Sequence, residues 1–279
     1  MAGLRWLYPS AVLKRGRIAM AVAGIALALI AFTSTTALSG PIEPEQSKYG
    51  WREVWGGGDA MRDVWLLYSG MTLAPWSEHI HDPGVRLRSH IGYGEFNYVP
   101  SNTTGTKSVR ATVTYADALI GYHWRLGELT AKAFGGIAAI DRSGSNSGSG
   151  RHNFGMEYGP KLMLELWLNV GEAQWTSLNM SFTTAHKTAS ARWRWGYKVL
   201  PELSVGPELR FDTNDFRAQD RSAFFDQYSA RAGAFASYKW PGIELSVAGG
   251  IASRFQGTKR DDDDTAMTPY GTVNLLFQY

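Results

Sequence analysis

The chain closes on Tyr270-Gly-Thr-Val-Asn-Leu-Leu-Phe-Gln-Tyr279. Val273, Leu275, Phe277 and Tyr279 fall on one side of an extended strand; Thr272, Asn274 and Gln278 fall on the other, where Leu276 is the one apolar intruder. Successive side chains of a strand point to opposite faces, so this stretch asks for one apolar and one polar surface. A strand that spans a membrane as part of a barrel needs that pattern, meeting hydrocarbon with every second residue and a polar interior with the rest. A soluble sandwich strand alternates as well. The remainder of the chain has to separate the two.

Strand signals run without interruption from about position 50, with candidates at 50–57, 64–75, 85–98, 109–125, 129–140, 155–169, 173–184, 191–199, 203–211, 225–240, 243–255 and 270–279. In 155–169, Leu162, Leu164, Leu166 and Leu168 share one face, and Glu157, Lys161 and Glu165 the other. In 191–199, Trp193, Trp195, Tyr197 and Val199 oppose Arg192, Arg194 and Lys198. Val85, Leu87, Ile91 and Tyr93 oppose Arg86, Arg88 and His90, and Leu178, Met180 and Phe182 oppose Ser177, Asn179 and Ser181. A one-residue slip of 191–199 would turn three cations toward lipid. At roughly 2–4 kcal/mol for each near the midplane, the penalty is on the order of 10 kcal/mol, so register is strongly specified.

The connections favour the barrel over the sandwich. Arg125-Leu-Gly-Glu128, Val170-Gly-Glu172, Leu200-Pro-Glu202 and Trp240-Pro-Gly242 read as tight turns. Between them lie longer polar stretches, Asp141 to Asn153, Ala185 to Ser190, Asp212 to Ala223 and Gln256 to Thr268. Short and long alternate as the periplasmic turns and extracellular loops of an outer-membrane barrel do; the connection from Pro75 to Gly84 is longer than this rule wants. If the last strand ends in the periplasm, the alternation calls for one more strand before 64. Gly50-Trp-Arg-Glu-Val-Trp-Gly57 supplies it, with Asp59 to Asp63 as the first outer loop. The expected fold is therefore an all-β, antiparallel, up-and-down transmembrane barrel of about 12 strands, with 10 as the alternative. Trp76, Tyr98, Trp124, Trp175, Trp240 and Tyr270 then lie near strand ends, where interfacial aromatic girdles belong. The terminal strand also resembles the C-terminal strand that bacterial outer-membrane barrels present to their assembly machinery.

The front of the chain reads as a targeting segment. Arg5, Lys14, Arg15 and Arg17 precede an apolar run from Ile18 to Phe32, and small residues near Ala37 and Ser39 suit a signal peptidase. The run is about 15 residues, short of the roughly 20 needed to span a bilayer as a helix. This gives a signal peptide over 1–39, a periplasmic linker over 40–49 and a barrel over 50–279, located in the outer membrane. Those four basic residues exceed the whole net charge of +3, so the chain beyond Ser39 is near neutral and composition offers no nucleic-acid partner. The absence of cysteine excludes disulfides and thiolate metal sites. What stands out is 11 Trp, 13 Tyr and 12 Phe beside 31 Gly.

Several short stretches carry a family resemblance: Trp55-Gly-Gly-Gly-Asp-Ala-Met-Arg-Asp-Val-Trp65 with Leu73-Ala-Pro75, Arg86-Leu-Arg88 with Gly92-Tyr-Gly94, and Gly121-Tyr122 with Gly127-Glu-Leu129. Gly159-Pro-Lys161 with Glu165-Leu-Trp167, and Gly206-Pro-Glu208, continue it. Together they resemble the cellulose biosynthesis protein family BcsS, outer-membrane proteins of cellulose-producing bacteria; Val85 departs from the aromatic expected before Arg86. The resemblance implies a barrel that assists cellulose production by export, anchoring or organisation of the polymer. Its implied partners are outer-membrane lipid, cellulose or cello-oligosaccharide, and other cellulose-synthesis components. It brings no catalytic residues.

The residues themselves point to no enzyme, cofactor or metal site. His79 and His81 sit beside Glu78 and Asp82 in a turn, where a solvated cluster competes with a divalent-ion site. His152-Asn153 and His186 fall in or near outer loops without a serine at a defensible spacing. Asp261-Asp-Asp-Asp264, after Lys259-Arg260, reads as a hydrated acidic loop, and Ser143-Gly-Ser-Asn-Ser-Gly-Ser-Gly150 as a flexible one. The inferred lumen face carries Arg86, Arg88, Lys132, Glu157, Lys161, Glu165, Trp167, Arg192, Arg194, Lys198, Glu208, Arg210 and Arg231, with His90 and His123 as polar fillers. Twelve strands lie between filled and water-filled barrels, so two readings stand open. In one, arginines and glutamates neutralise each other and brace the wall. In the other, Arg86, Arg88, Lys161, Glu165, Arg192, Arg194, Glu208 and Arg210 line a polysaccharide track, with Trp167 stacking on sugar rings. Beside the cellulose role stand a general small porin or structural barrel, and a lipid-A-modifying barrel hydrolase.

Overall fold

The computed structural model describes residues 50–62, 64–98, 109–144, 155–213, 228–253 and 267–279. The leader, the linker, His152-Asn153, the acidic run 261–264 and most of the serine-glycine loop lie outside them. Twelve strands form the described part: β1 (Arg52–Met61), β2 (Val64–Leu73), β3 (Gly84–Tyr98), β4 (Val109–Leu126), β5 (Leu129–Gly144) and β6 (Gly155–Val170), then β7 (Gln174–Thr183), β8 (Thr188–Lys198), β9 (Leu203–Thr213), β10 (Tyr228–Trp240), β11 (Ile243–Ala252) and β12 (Thr268–Gln278). Each pairs antiparallel with its neighbours in sequence, and β1 pairs with β12, which closes the barrel. The count is twelve, not ten. The seam runs from Glu53↔Gln278 to Met61↔Tyr270, and the Arg52 and Tyr279 backbones exchange N–H···O bonds of 3.2 and 3.1 Å.

Burial is inverted relative to a soluble protein, and this excludes the sandwich. Glu53, Asp59, Arg86, Asp117, Arg194, Glu208 and Arg231 are buried, while Leu67, Ile120, Ile137, Leu162, Leu209, Val247 and Val273 are exposed. Water would reject such an outer surface, whereas hydrocarbon accepts it. Every face assigned from alternation is the face observed, including the inward Leu276 of β12.

Four inward glycines are matched to aromatic rings. Gly70 lies directly opposite Trp55, Gly92 opposite Tyr115, Gly121 opposite Phe134, and Gly196 opposite Trp175. In each case the ring lies across the glycine so closely that a Cβ would fall 2.1–2.4 Å from it. Large rings thus pack along the inner wall instead of crossing the lumen.

The structure corrects three expectations. Asp59 to Asp63 is not a loop: Met61 pairs with Val64, so β1 runs four residues further than expected and carries Asp59 into the lumen. Ala185 to Ser190 is not a long loop: a 3-10 turn at Ala185–Lys187 ends at Thr188, which already pairs with Thr183. Trp175 and Tyr270 are not girdle residues, since both are buried on the inner face; a strand-end position says nothing about which way a ring points. Trp76, Trp124 and Trp240 are exposed at the short-turn end as expected, joined by Trp51, and the Tyr98 side chain lies outside the described residues. At the other end Trp65 meets Tyr93 edge-on at 5.6 Å.

Strand lengths are uneven. β1 and β2 have 10 residues each, while β4 has 18 and β5 has 16. Past Tyr93, Ala116 and Ala139, the outward positions of β3–β5 turn polar: Glu95, then Thr114, Thr112 and Arg110, then Asp141 and Ser143. Arg110 and Glu95 pair at 3.8 Å there.

Leu164 lies on the outward face midway along β6. Leu164→Arg is expected to cost about 2–4 kcal/mol, read as a lowered denaturant midpoint for the barrel in lipid vesicles; a cost below about 1 kcal/mol would contradict a lipid-facing β6.

Candidate functional site

The lumen is the site, and its parts can be taken from the long-loop end downward. Nearest that end, Asp59 of β1 accepts two bonds of 2.6 Å from Arg231 of β10 and one of 2.5 Å from Arg210 of β9. Arg210 also reaches Asp212 at 2.9 Å and Arg231 reaches it at 3.4 Å. Two arginines and two aspartates therefore form a closed, neutral ring that ties β1 to strands three and four positions away around the barrel. His186 stands at the same rim with a left-handed backbone (φ 47°); its N–H donates to Glu157 at 2.7 Å, and its Nε2 lies 3.1 Å from the Gly155 carbonyl oxygen.

Midway down, Arg194 donates from Nε to Glu208 at 2.6 Å and from Nη1 to Ser246 at 3.0 Å, and it lies over the Phe235 ring. Tyr270 donates to the same glutamate at 3.3 Å. On the opposite wall Arg88 of β3 reaches Glu165 of β6 at 2.7 Å, with Lys132 at 3.9 Å from the other carboxylate oxygen. Lys161 is paired with Asp117, which also lies 3.4 Å from His90 Nδ1, and His90 Nε2 is 3.0 Å from the Tyr115 hydroxyl.

At the short-turn end the lumen opens into a vestibule of about 710 Å³, bordered by the Gly127-Glu128 and Pro201-Glu202 turns, Glu53, Lys132, Trp167, Asn169, Asn179 and Gln278. A second cavity of about 340 Å³ lies above it, bordered by Tyr68, His90, Tyr115 and Lys161, and the two share Glu53, Glu165, Asn179, Arg192, Arg194 and Glu244. Neither is lined by Asp59, Asp212, Arg231 or Tyr270. One face of Trp167 is stacked on Trp175 at 4.1 Å and 18°, and the Lys239 ammonium lies 5.3 Å from its ring centroid. Trp167 thus keeps at most one face for a sugar.

The long connection after β2 folds onto the mouth. Ile80 is buried, with its N–H on the Gly50 carbonyl at 2.9 Å. Arg86, fully buried, donates to the Ile80 and Asp82 carbonyls and to His123 Nδ1 at 3.1 Å. His81, outside the spanning strands, borders the vestibule; desolvation first and the Lys132 ammonium second hold its imidazole below the usual range. His79 donates its backbone N–H to Asp82 at 3.1 Å as part of the same turn. Among the described residues no three His, Asp or Glu side chains are grouped as a metal site.

All nine residues proposed for the track face the lumen, in three different roles. Arg86 fastens the turn, Glu208 is buried behind Arg194, and Arg88, Lys161, Glu165, Trp167, Arg192, Arg194 and Arg210 border one or both cavities. Sequence reading missed Asp59, Asp117, Asp212 and Tyr115, which complete the pairs. Asp117 could have been found, since it shares the parity of His123 in β4.

Residues 54–278 match the family model described as cellulose biosynthesis protein BcsS. The chain belongs to that family. Among solved structures, this BcsS-family barrel is similar to the transport unit of the autotransporter AIDA-I from Escherichia coli, at 14% identity and TM-score 0.48 over 92% of this chain and 99% of that one. It is similar also to the KdgM porin, at 11% identity and TM-score 0.43 over 81% and 99%, and to LpxR from Salmonella typhimurium, at 9% and 0.46 over 81% and 100%. No curated protein matches the chain.

Removing one partner of a buried ion pair leaves the others uncompensated and costs about 3–5 kcal/mol. Asp59→Asn is expected to lower barrel stability by that order, measured by urea titration in detergent; an unchanged midpoint would show that the ring does not brace the wall.

Proposed function

We propose that this protein assists cellulose production from the outer membrane, holding or organising the polymer through its periplasm-facing vestibule. The single observation that carries the role is the BcsS family match over residues 54–278. The geometry favours holding over free passage. Ion pairs bridge β1 to β9 and β10, and β3 to β6, and a glucan chain threading the barrel would have to break buried pairs at several levels. The vestibule offers amides at Asn169, Asn179 and Gln278 with the Trp167 face that is not stacked on Trp175, a set suited to hydroxyl-rich rings. Residues 1–39 fit an export signal removed on the way, and 40–49 a periplasmic linker; the outward apolar surface then rests in outer-membrane lipid. The lipid-A hydrolase reading has no nucleophile assigned to it, and a general porin would be expected to conduct freely.

The test is a deletion strain scored for cellulase-released glucose at the cell surface. Loss restored by the wild-type gene supports the role, and unchanged surface cellulose overturns it. In planar bilayers the purified barrel is expected to conduct far less than an open porin. Cellotetraose should quench its tryptophan fluorescence, with Trp167→Ala weakening the apparent affinity about tenfold, the effect of losing roughly 1.4 kcal/mol. Wild-type conductance as large as a porin's and indifferent to cello-oligosaccharide would favour the general-porin reading, and altered lipid-A mass spectra in the deletion strain would favour the hydrolase.

A further inference from the structure

Three arginines stand in one row across the inner wall: Arg192 of β8 is directly opposite Arg210 of β9, and Arg210 is directly opposite Arg231 of β10. Like charges facing each other across a strand pair are destabilising. For two of the three the repulsion is answered, because Asp59 and Asp212 hold Arg210 and Arg231. Arg192 has no such partner: among the described residues it makes no hydrogen bond or ion pair, and it borders both cavities. The adjacent Arg194 is 7% exposed, and with its Nε and Nη1 engaged, its buried Nη2 has no acceptor.

Three carboxylates border both cavities, and each is already held elsewhere. Glu165 is taken by Arg88 and Lys132, Glu244 by Ser237 and Lys239, and Glu53 by Gln278. What remains is a guanidinium with no hydrogen-bonded carboxylate, on a residue that borders both cavities, and, on the next inward arginine of the same strand, a buried N–H with no acceptor. Asn179, directly opposite Arg192 on β7, borders the same two cavities with a side-chain amide. A buried charge without a partner is costly, and a planar guanidinium with spare donors matches an oxyanion.

We infer that Arg192, Arg194 and Asn179 form an anion-binding site in the middle of the lumen, for a carboxylate or phosphate carried by a small polar solute. The site shares Asn179 with the vestibule proposed to hold cellulose but does not rest on that role: surface cellulose in the deletion strain tests that role alone, and anion binding tests this one alone.

Calorimetry on the refolded full barrel in detergent, in phosphate-free buffer, uses glucuronate, inorganic phosphate and glucose as probes. Wild type is expected to bind at least one of the two anions, and which one it binds names the source of the oxyanion. Glucose binding, where present, should not depend on Arg192. Arg192→Gln should weaken the anion at least tenfold, and Arg192→Lys less, because it keeps the charge and loses the fork. Because Arg192 makes no hydrogen bond or ion pair among the described residues and directly faces Arg210, Arg192→Gln should unfold at the same temperature as wild type or higher, an outcome a structural brace would not give. Absence of binding to both anions, equal affinity in Arg192→Gln, or a lowered unfolding temperature in that variant overturns the site. Should Arg192→Gln fail to refold, that too overturns it.

Discussion

Nothing inside a bilayer can replace water as a partner for the backbone, so every N–H and C=O at that depth has to find its match within the chain. The seam between β1 and β12 meets that demand here. Nine consecutive residue pairs join the two ends of the described barrel, and without them two strand edges would face hydrocarbon. The seam also fixes what may be placed at it: at Gly50 a Cβ would lie 2.0 Å from the Tyr279 carbonyl carbon, so the approach admits glycine alone. Once the cylinder is closed, alternation separates lipid from lumen, and the polar half of every strand is brought into one shared interior.

That interior is organised by two rules drawn from packing and charge. Aromatic rings lie down on directly opposed glycines, which keeps bulk against the wall and leaves space along the axis. Charges pair at a distance around the wall, as in Arg88 with Glu165 and Asp59 with Arg231, which holds the circular cross-section against collapse. Where both rules are satisfied the lumen is filled, as at the Asp59 ring. Below it, where Arg192 makes no hydrogen bond or ion pair among the described residues, space for a ligand remains.

The faces and the strand count were legible in the sequence because period-2 alternation and tight turns are local properties. Leu162 to Leu168 and Trp193 to Val199 needed nothing beyond their own neighbours to be assigned. Asp59 was not legible, because Gly56-Gly-Gly58 carries no hydrophobic pattern and the aspartate after it resembles a turn. The partners were not legible either: Asp59 and Arg231 are 172 residues apart, and only barrel closure makes them neighbours. Trp175 and Tyr270 are a different case: each shares the parity of the polar face already assigned to its strand, Ser177 and Thr272, so parity placed both rings inside and position near a strand end was the wrong guide.

The uneven strands give the molecule a front and a back. Ten residues tilted at roughly 40° rise about 25 Å, the height of the apolar band, so β1 and β2 finish level with the lipid. The 18 residues of β4 rise about 45 Å at the same tilt, and with β3 and β5 they stand clear of it as a polar parapet. The mouth is therefore walled on the β3–β5 side and level with the headgroups on the β1–β2 side, so it opens toward the membrane plane in one direction only.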